Sequence, residues 1–303
     1  MKQKINLDKL CSPILLKGSE YTAYRDPAVV YFEKVFYLYY TLVRTEASGD
    51  VYSYTAMSTS SDLLHFSKPV LLTAKDKALN FSSPGNVIRY HDKWILCLQT
   101  YPRPKGEKYA NNDARIWTMK SDNLIDWSAP EILMVKGNNV PVAEMGRMID
   151  PYLLEDKDVA GKYWCFYKQD GVSMSYSYDL KNWTYFGHSN SGENVCVLTK
   201  KDEYVLFHSP KNGIGVMKSK DLTDWAESGK TITLGQKDWP WAQGRLTAGF
   251  VLDCREESEI GKYLMFFHGT GPEDESVIFD TYSCIGLAWS DDLTTWNWPG
   301  GKI

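Results

Sequence analysis

Ser60-Ser61-Asp62-Leu63-Leu64-His65-Phe66 is the first of five closely similar phrases in this chain. The others are Ser121-Asp122-Asn123-Leu124-Ile125-Asp126-Trp127, Ser177-Tyr178-Asp179-Leu180-Lys181-Asn182-Trp183, Ser219-Lys220-Asp221-Leu222-Thr223-Asp224-Trp225 and Ser290-Asp291-Asp292-Leu293-Thr294-Thr295-Trp296. Each runs from a small residue through an acidic or amide residue and a leucine to a large aromatic. Recurrence at this spacing marks one supersecondary unit copied and stacked. The repeat Asp or Asn is expected to cap a tight turn through its side chain. The repeat Leu and aromatic are expected to pack between neighbouring units rather than to meet a ligand.

Before each phrase stand two apolar runs separated by a polar turn. Ala28-Val29-Val30-Tyr31-Phe32 and Val35-Phe36-Tyr37-Leu38-Tyr39-Tyr40 flank Glu33-Lys34. Asn86-Val87-Ile88-Arg89-Tyr90 and Trp94-Ile95-Leu96-Cys97-Leu98 flank His91-Asp92-Lys93. Short β-branched and aromatic runs bounded by turn residues read as strands of a hairpin. A third strand, such as Ile285-Gly286-Leu287-Ala288-Trp289, runs into the phrase, and the closing aromatic is expected to open a fourth. Four strands in each of five repeats predict an all-β fold, a five-bladed β-propeller with four-stranded antiparallel blades. The repeats reach from one end to the other without a Pro/Gly/Ser linker, so residues 1–303 are read as a single propeller domain.

Composition narrows the function. The 43% hydrophobic and 14% aromatic content supplies both a core and sugar-stacking surfaces, and a net charge of −4 disfavours nucleic acid or an anionic membrane as partner. No run approaches the roughly 18 apolar residues of a membrane span. The start, Met1-Lys2-Gln3-Lys4, is basic but leads into no apolar stretch, so no signal peptide is read. The six cysteines form no C-x-x-C pair, and Cys97, Cys165 and Cys196 fall in apolar strands, where a thiol behaves as a small hydrophobe. A cytoplasmic protein with reduced thiols is the expectation.

A propeller's innermost strands start around a shared axis. Those starts read Tyr24-Arg25-Asp26-Pro27, Ser82-Ser83-Pro84-Gly85, Ile149-Asp150-Pro151, Gly192-Glu193-Asn194 and Arg245-Leu246-Thr247-Ala248. Three bring a carboxylate, at what the sequence suggests are equivalent positions. Like charges in one pit raise each other's pKa, which suits chemistry needing one carboxylic acid and one carboxylate at neutral pH. Glycoside hydrolysis is such chemistry. The bland alternative is that Asp-Pro merely opens a strand, since proline keeps the preceding residue extended.

On these motifs, Arg25-Asp26-Pro27 and Ile149-Asp150-Pro151 above all, the chain resembles glycoside hydrolase family 43 and its relatives, the five-bladed arabinanase, xylosidase and invertase superfamily. The resemblance implies that Asp26 is the general base, that Asp150 tunes and orients the acid, and that Glu193 is the general acid. It also implies an inverting mechanism, whose two carboxyls stand roughly 6.5–9.5 Å apart to admit a water. The family's glutamate is usually followed by a small residue and proline, where this chain has Asn194-Val195. Glu144 is the nearby rival acid.

The resemblance further implies that His268, on the fifth blade, lies near the axis by a calcium ion or its waters in the central channel, and that Arg245 holds substrate hydroxyls. No other cofactor is implied. Arg25, His208, Tyr101, Trp239 and Trp241 complete the expected substrate-binding set. The expected substrate is an oligosaccharide from plant polysaccharide, an α-L-arabinofuranoside or β-xyloside. The rival readings are an anhydrogalactosidase-type or fructosidase-type relative and a propeller that binds glycan without turnover. The sequence sets no oligomeric state.

Overall fold

The chain, described over residues 5–302 by a computed structural model, forms five antiparallel sheets, and within each sheet the strands lie side by side in chain order. Blade one comprises Thr22–Phe32, Val35–Thr45, Val51–Ser60 and Val70–Leu71, and blade two Phe81–Tyr90, Lys93–Thr100, Ile116–Ser121 and Glu131–Ile132. Blade three comprises Ile149–Glu155, Tyr163–Lys168, Val172–Ser177 and Trp183–Ser189, and blade four Glu193–Thr199, Tyr204–Ser209, Gly215–Ser219 and Ala226–Glu227. Blade five comprises Arg245–Cys254, Lys262–Thr270, Cys284–Ser290 and Trp296–Trp298, with Gly301–Lys302 at its edge. This is the five-bladed β-propeller that the repeats predict. The start Met1-Lys2-Gln3-Lys4 lies outside the described residues.

The repeat phrase builds the turn after each third strand. Its serine Oγ accepts the N–H two residues on, as Ser290 does from Asp292 at 3.2 Å. The Asp or Asn Oδ1 then accepts two further N–H groups, as Asp292 does from Thr294 and Thr295 at 2.8 and 2.7 Å. These N–H donors hold the Asp179, Asp221 and Asp292 carboxyls below the usual carboxylate range. All five leucines, 63, 124, 180, 222 and 293, sit at φ between 56° and 68°. Such backbone costs a non-glycine residue about 1–3 kcal/mol. Burial of four of these side chains, at most 8% exposed, offsets it.

The aromatic that closes the phrase packs onto the preceding blade. Trp127 meets Tyr39 edge-on at 5.7 Å, Trp225 meets Phe166 at 6.3 Å and Trp296 meets Phe207 at 6.5 Å. Trp183 shares an apolar cluster with Ile95 and Cys97 of blade two. Trp183 and Trp296 are buried, while Trp127 and Trp225 are half-buried. The expected strand opening at the aromatic occurs only in blades three and five. In the other three the outer strand shrinks to two residues, and short outer strands leave little unpaired edge.

Ring closure does not follow the repeat alone. Ile14–Leu16 pairs with the third strand of blade five, Ile14 opposite Gly286 and Leu16 opposite Ile285. Three residues are too short to announce a strand in sequence. All six cysteines are free, and Cys97, Cys165 and Cys196 are buried in strands as read. Among the described residues no helix is long and apolar enough to cross a membrane.

Candidate active site

Each innermost strand breaks register with its neighbour near its start, and each break holds one non-glycine residue at positive φ. These are Asp26, Ser83, Asp150, Asn194 and Ala248, with φ between 42° and 53°. They form a ring of bulges around the axis, the kind of feature that re-aims side chains. Four of the five N–H groups are accepted by a side chain from the second strand of the preceding blade. Asp26 donates to His268 Nδ1 at 3.0 Å, Ser83 to Thr41 Oγ1 at 2.7 Å, Asp150 to Gln99 Oε1 at 2.5 Å and Ala248 to Ser209 Oγ at 2.8 Å. The matching position before Asn194 is Lys168, whose side chain has no acceptor.

This ring corrects one expectation. Asn194, not Glu193, occupies the place of Asp26 and Asp150, and Glu193 stands one residue earlier, level with Arg25. The same register accounts for Glu193-Asn194-Val195. The residue after the glutamate must adopt φ near 53°, which Asn tolerates better than most residues, and Val195 stands where Pro27, Pro84 and Pro151 stand in other blades.

Asp26, Asp150 and Glu193 nevertheless open into one cavity of about 180 Å³. Thr41 Oγ1 accepts the Ser83 N–H and donates its own proton to Asp26 Oδ2 at 2.8 Å, fixing that carboxylate. Ser83 Oγ donates to Asp150 Oδ1 at 2.8 Å. Burial pushes the Asp150 carboxyl up to about 7, with Glu193 and Asp26 adding to the rise and Ser83 and Arg147 opposing it. Glu193 is partly open and accepts from Arg245 Nη2 at 2.6 Å through Oε1.

Arg25 and Arg245 both line the cavity, and both also pair with Glu275, a buried residue of the loop after the second strand of blade five. Arg25 donates to the Phe279 carbonyl at 2.8 Å and lies 4.3 Å from the centre of the Phe279 ring. Two of its N–H groups are thus spent within the protein. Tyr101 lines the cavity as expected and stacks near Phe279 at 6.3 Å. Arg103 and Asp280, which the sequence reading missed, join two loops by paired 2.7 Å hydrogen bonds over this wall. Those loops, 101–115 in blade two and 271–283 in blade five, follow the second strands. Their signal in sequence was the wide spacing of the repeat there, 61 residues from Phe66 to Trp127 and 71 from Trp225 to Trp296.

Four expected positions fall elsewhere. Trp239 and Trp241 stack on each other at 5.2 Å and on Phe267, away from the cavity. Their rings occupy space left by glycine, since a Cβ at Gly235 would stand 2.5 Å from Trp239 and one at Gly269 2.7 Å from Trp241. His208 is buried against Gly215 and accepts the Gly192 N–H at 2.9 Å, so it holds a strand start instead of facing a sugar. Glu144 is exposed on a short 3-10 turn outside the cavity. His268 does line the cavity. Its Nδ1 accepts from Asp26, so its neutral form carries the proton on Nε2, which faces Glu275 Oε1 at 3.5 Å. Burial holds its pKa below the usual value.

These surroundings do not fit calcium, which takes six to eight oxygen ligands. Both His268 nitrogens face protein groups, and two guanidiniums converge on the adjacent Glu275. Among the described residues, no group of three or more His, Cys, Asp or Glu could hold a metal ion. Behind the ring of bulges the channel narrows to about 20 Å³ between Pro27, Pro84, Pro151 and Val195.

Solved structures share this fold. A glycosyl hydrolase from Bacteroides ovatus matches with a TM-score of 0.67 at 15% identity, over 96% of this chain and 93% of that one. The GH43 BlXynB protein from Bacillus licheniformis matches with a TM-score of 0.63 at 14% identity, over 93% of this chain and 55% of that one. This chain therefore spans about half the length of the Bacillus protein. An exo-1,5-α-L-arabinanase from a bovine ruminal metagenomic library matches with a TM-score of 0.58 at 14% identity, over 88% and 93%. No family model matches the chain, and no curated protein matches it in sequence.

Proposed function

We propose that this chain hydrolyses glycosidic bonds, with Asp26 as general base, Glu193 as general acid and Asp150 as the carboxyl that tunes the acid. The observation that carries the reading is the meeting of three carboxylates, from blades one, three and four, in one cavity. Glu193 would protonate the leaving oxygen through Oε2, because Oε1 is held by Arg245. Asp26 would take a proton from water through Oδ1, because Oδ2 is held by Thr41. Burial raises the Asp150 carboxyl to about 7, with the charges of Glu193 and Asp26 adding to the rise, which makes it the carboxyl suited to tuning its neighbours.

The substrate class we infer is the arabinofuranoside or xyloside end of a plant oligosaccharide, cleaved with inversion. Its support is the family resemblance and the likeness of fold to an exo-1,5-α-L-arabinanase. The test is a panel of nitrophenyl glycosides and plant oligosaccharides, with the first product followed by proton NMR. Turnover of a pentoside to a sugar of opposite anomeric configuration is expected. Retained configuration would overturn the water-activating role of Asp26. Binding of these sugars without any turnover would make the chain a glycan-binding propeller.

A further inference from the structure

Arg245 poses a problem for an acid. Its Nη2 donates to Glu193 Oε1 at 2.6 Å, so a guanidinium sits directly on the group that must carry the proton. The same Arg245 also donates through Nη1 to Glu275 Oε2. Glu275 Oε1 takes Arg25 Nη2 and faces His268 Nε2 at 3.5 Å, and His268 Nδ1 accepts the N–H of Asp26. One buried carboxylate, its side chain 7% exposed, thus stands a single residue away from both groups assigned to the chemistry. It does so without lining the cavity.

We infer that Glu275 is the positioning residue of this site, an anion that divides the charge of Arg245 so that Glu193 can hold its proton and that braces Asp26 through His268. The inference rests on the proposed function for the word acid, but not for its geometry. The charged and titratable groups around Glu275 come from four elements. Arg25 and Asp26 lie on the inner strand of blade one, Arg245 on the inner strand of blade five and His268 on its second strand, while Asp274 adjoins on the same loop. Burial raises the Glu275 carboxyl, but Arg25, His268 and Arg245 together outweigh that and hold it well below the usual range, so it stays ionised throughout the working pH. Around Glu193 itself stand Arg245 and Asp150.

The sign of the effect follows. Glu275→Gln keeps the shape but leaves Arg245 to Glu193 alone and Arg25 uncompensated beside Asp26. Both changes favour carboxylates, so Glu193 should lose its proton at lower pH, by about one unit. Arg25→Gln does the reverse. Glu275 then pairs wholly with Arg245 and draws it from Glu193, so Glu193 should titrate at higher pH.

The experiment is a carbon-13 titration of the full chain labelled at glutamate carboxyls, with the Glu193 resonance identified by its absence in Glu193→Gln. Opposite displacements in Glu275→Gln and Arg25→Gln are expected. The alkaline limb of kcat/KM on a glycoside with a poor alkyl leaving group, which needs the proton of Glu193, should follow each displacement, while the KM of Glu275→Gln changes less than about threefold. Glu275→Asp, which keeps the charge, should return the Glu193 midpoint towards the native value. A residue that merely anchors the loop would lower the melting temperature of Glu275→Gln and leave the Glu193 midpoint where it was, and that result overturns the inference. If Glu275→Gln does not fold, an unmoved midpoint in Arg25→Gln overturns it equally. Should the native chain cleave no glycoside at all, the enzymatic reading falls while the titration still decides the place of Glu275.

Discussion

Two rings of positive-φ residues encircle this propeller, one at the perimeter and one at the axis. The outer ring is five leucines, one in each repeat phrase, and the inner ring is Asp26, Ser83, Asp150, Asn194 and Ala248. Both recur five times in the backbone, yet only the outer one recurs in sequence. The difference lies in what offsets the strain. At the perimeter it is burial of the side chain in four of the five copies, which holds the position to leucine. At the axis it is mainly a hydrogen bond to the N–H from the preceding blade, which any residue but proline can donate. The inner side chains are therefore free to differ, and two of the five are carboxylates facing one cavity.

The largest expected effect falls on the inner ring. Asp26→Asn keeps a residue suited to positive φ and the N–H bond to His268, yet should lower kcat on the order of 10³-fold for good and poor leaving groups alike. Its melting temperature should hardly move. A variant as active as the native chain would place the base elsewhere.

At the perimeter the consequence is stability. Trp296→Ala, which opens a hole against Phe207 of blade four, should cost roughly 3–5 kcal/mol in denaturant unfolding. A loss below about 1 kcal/mol would mean that the inter-blade contact does not hold the ring.

Asp150 tests the two rings against each other. Its folded-state carboxyl is raised to about 7 by burial, above the unfolded value of about 3.9. The native state then binds more protons than the unfolded one between those values, and stability falls as pH rises through that window. Asp150→Asn should abolish this slope and stabilise the chain at pH 8 by roughly 1–3 kcal/mol, while slowing catalysis. An unchanged stability–pH profile would show that Asp150 is not the titrating group.

The smallest effect belongs to a single turn. Asp292→Ala removes the oxygen that accepts two backbone N–H groups and should cost about 1 kcal/mol at pH 7. The folded carboxyl is depressed, so this contribution is fully present above pH about 4 and is lost as pH falls through the folded value. Equal thermal midpoints at pH 7 would remove the capping role.

The same contrast explains how much was legible in the sequence. The phrase recurs because each copy solves the same packing problem, so the propeller could be read from it. Asp26 and Asp150 were legible because proline follows a strand start there, and Glu193 because it opens the blade-four strand. Glu275 was not, since its partner Arg25 lies 250 residues away, nor was Arg103–Asp280, 177 residues apart. No local pattern encodes such pairs. Trp239 and Trp241 were misread because the space that receives them is made by glycines scattered from Gly235 to Gly286.

The most direct measurement compares two leaving groups in one variant. Glu193→Gln keeps the shape of the acid and its place beside Arg245 but removes the proton. A glycoside with a poor alkyl leaving group should lose on the order of 10²-fold or more in kcat/KM, because it needs protonation. An activated aryl glycoside of the same sugar should lose less than about tenfold. Equal losses on the two substrates, or no loss on either, would contradict the assignment of Glu193 as the acid and of this cavity as the place where the bond is broken.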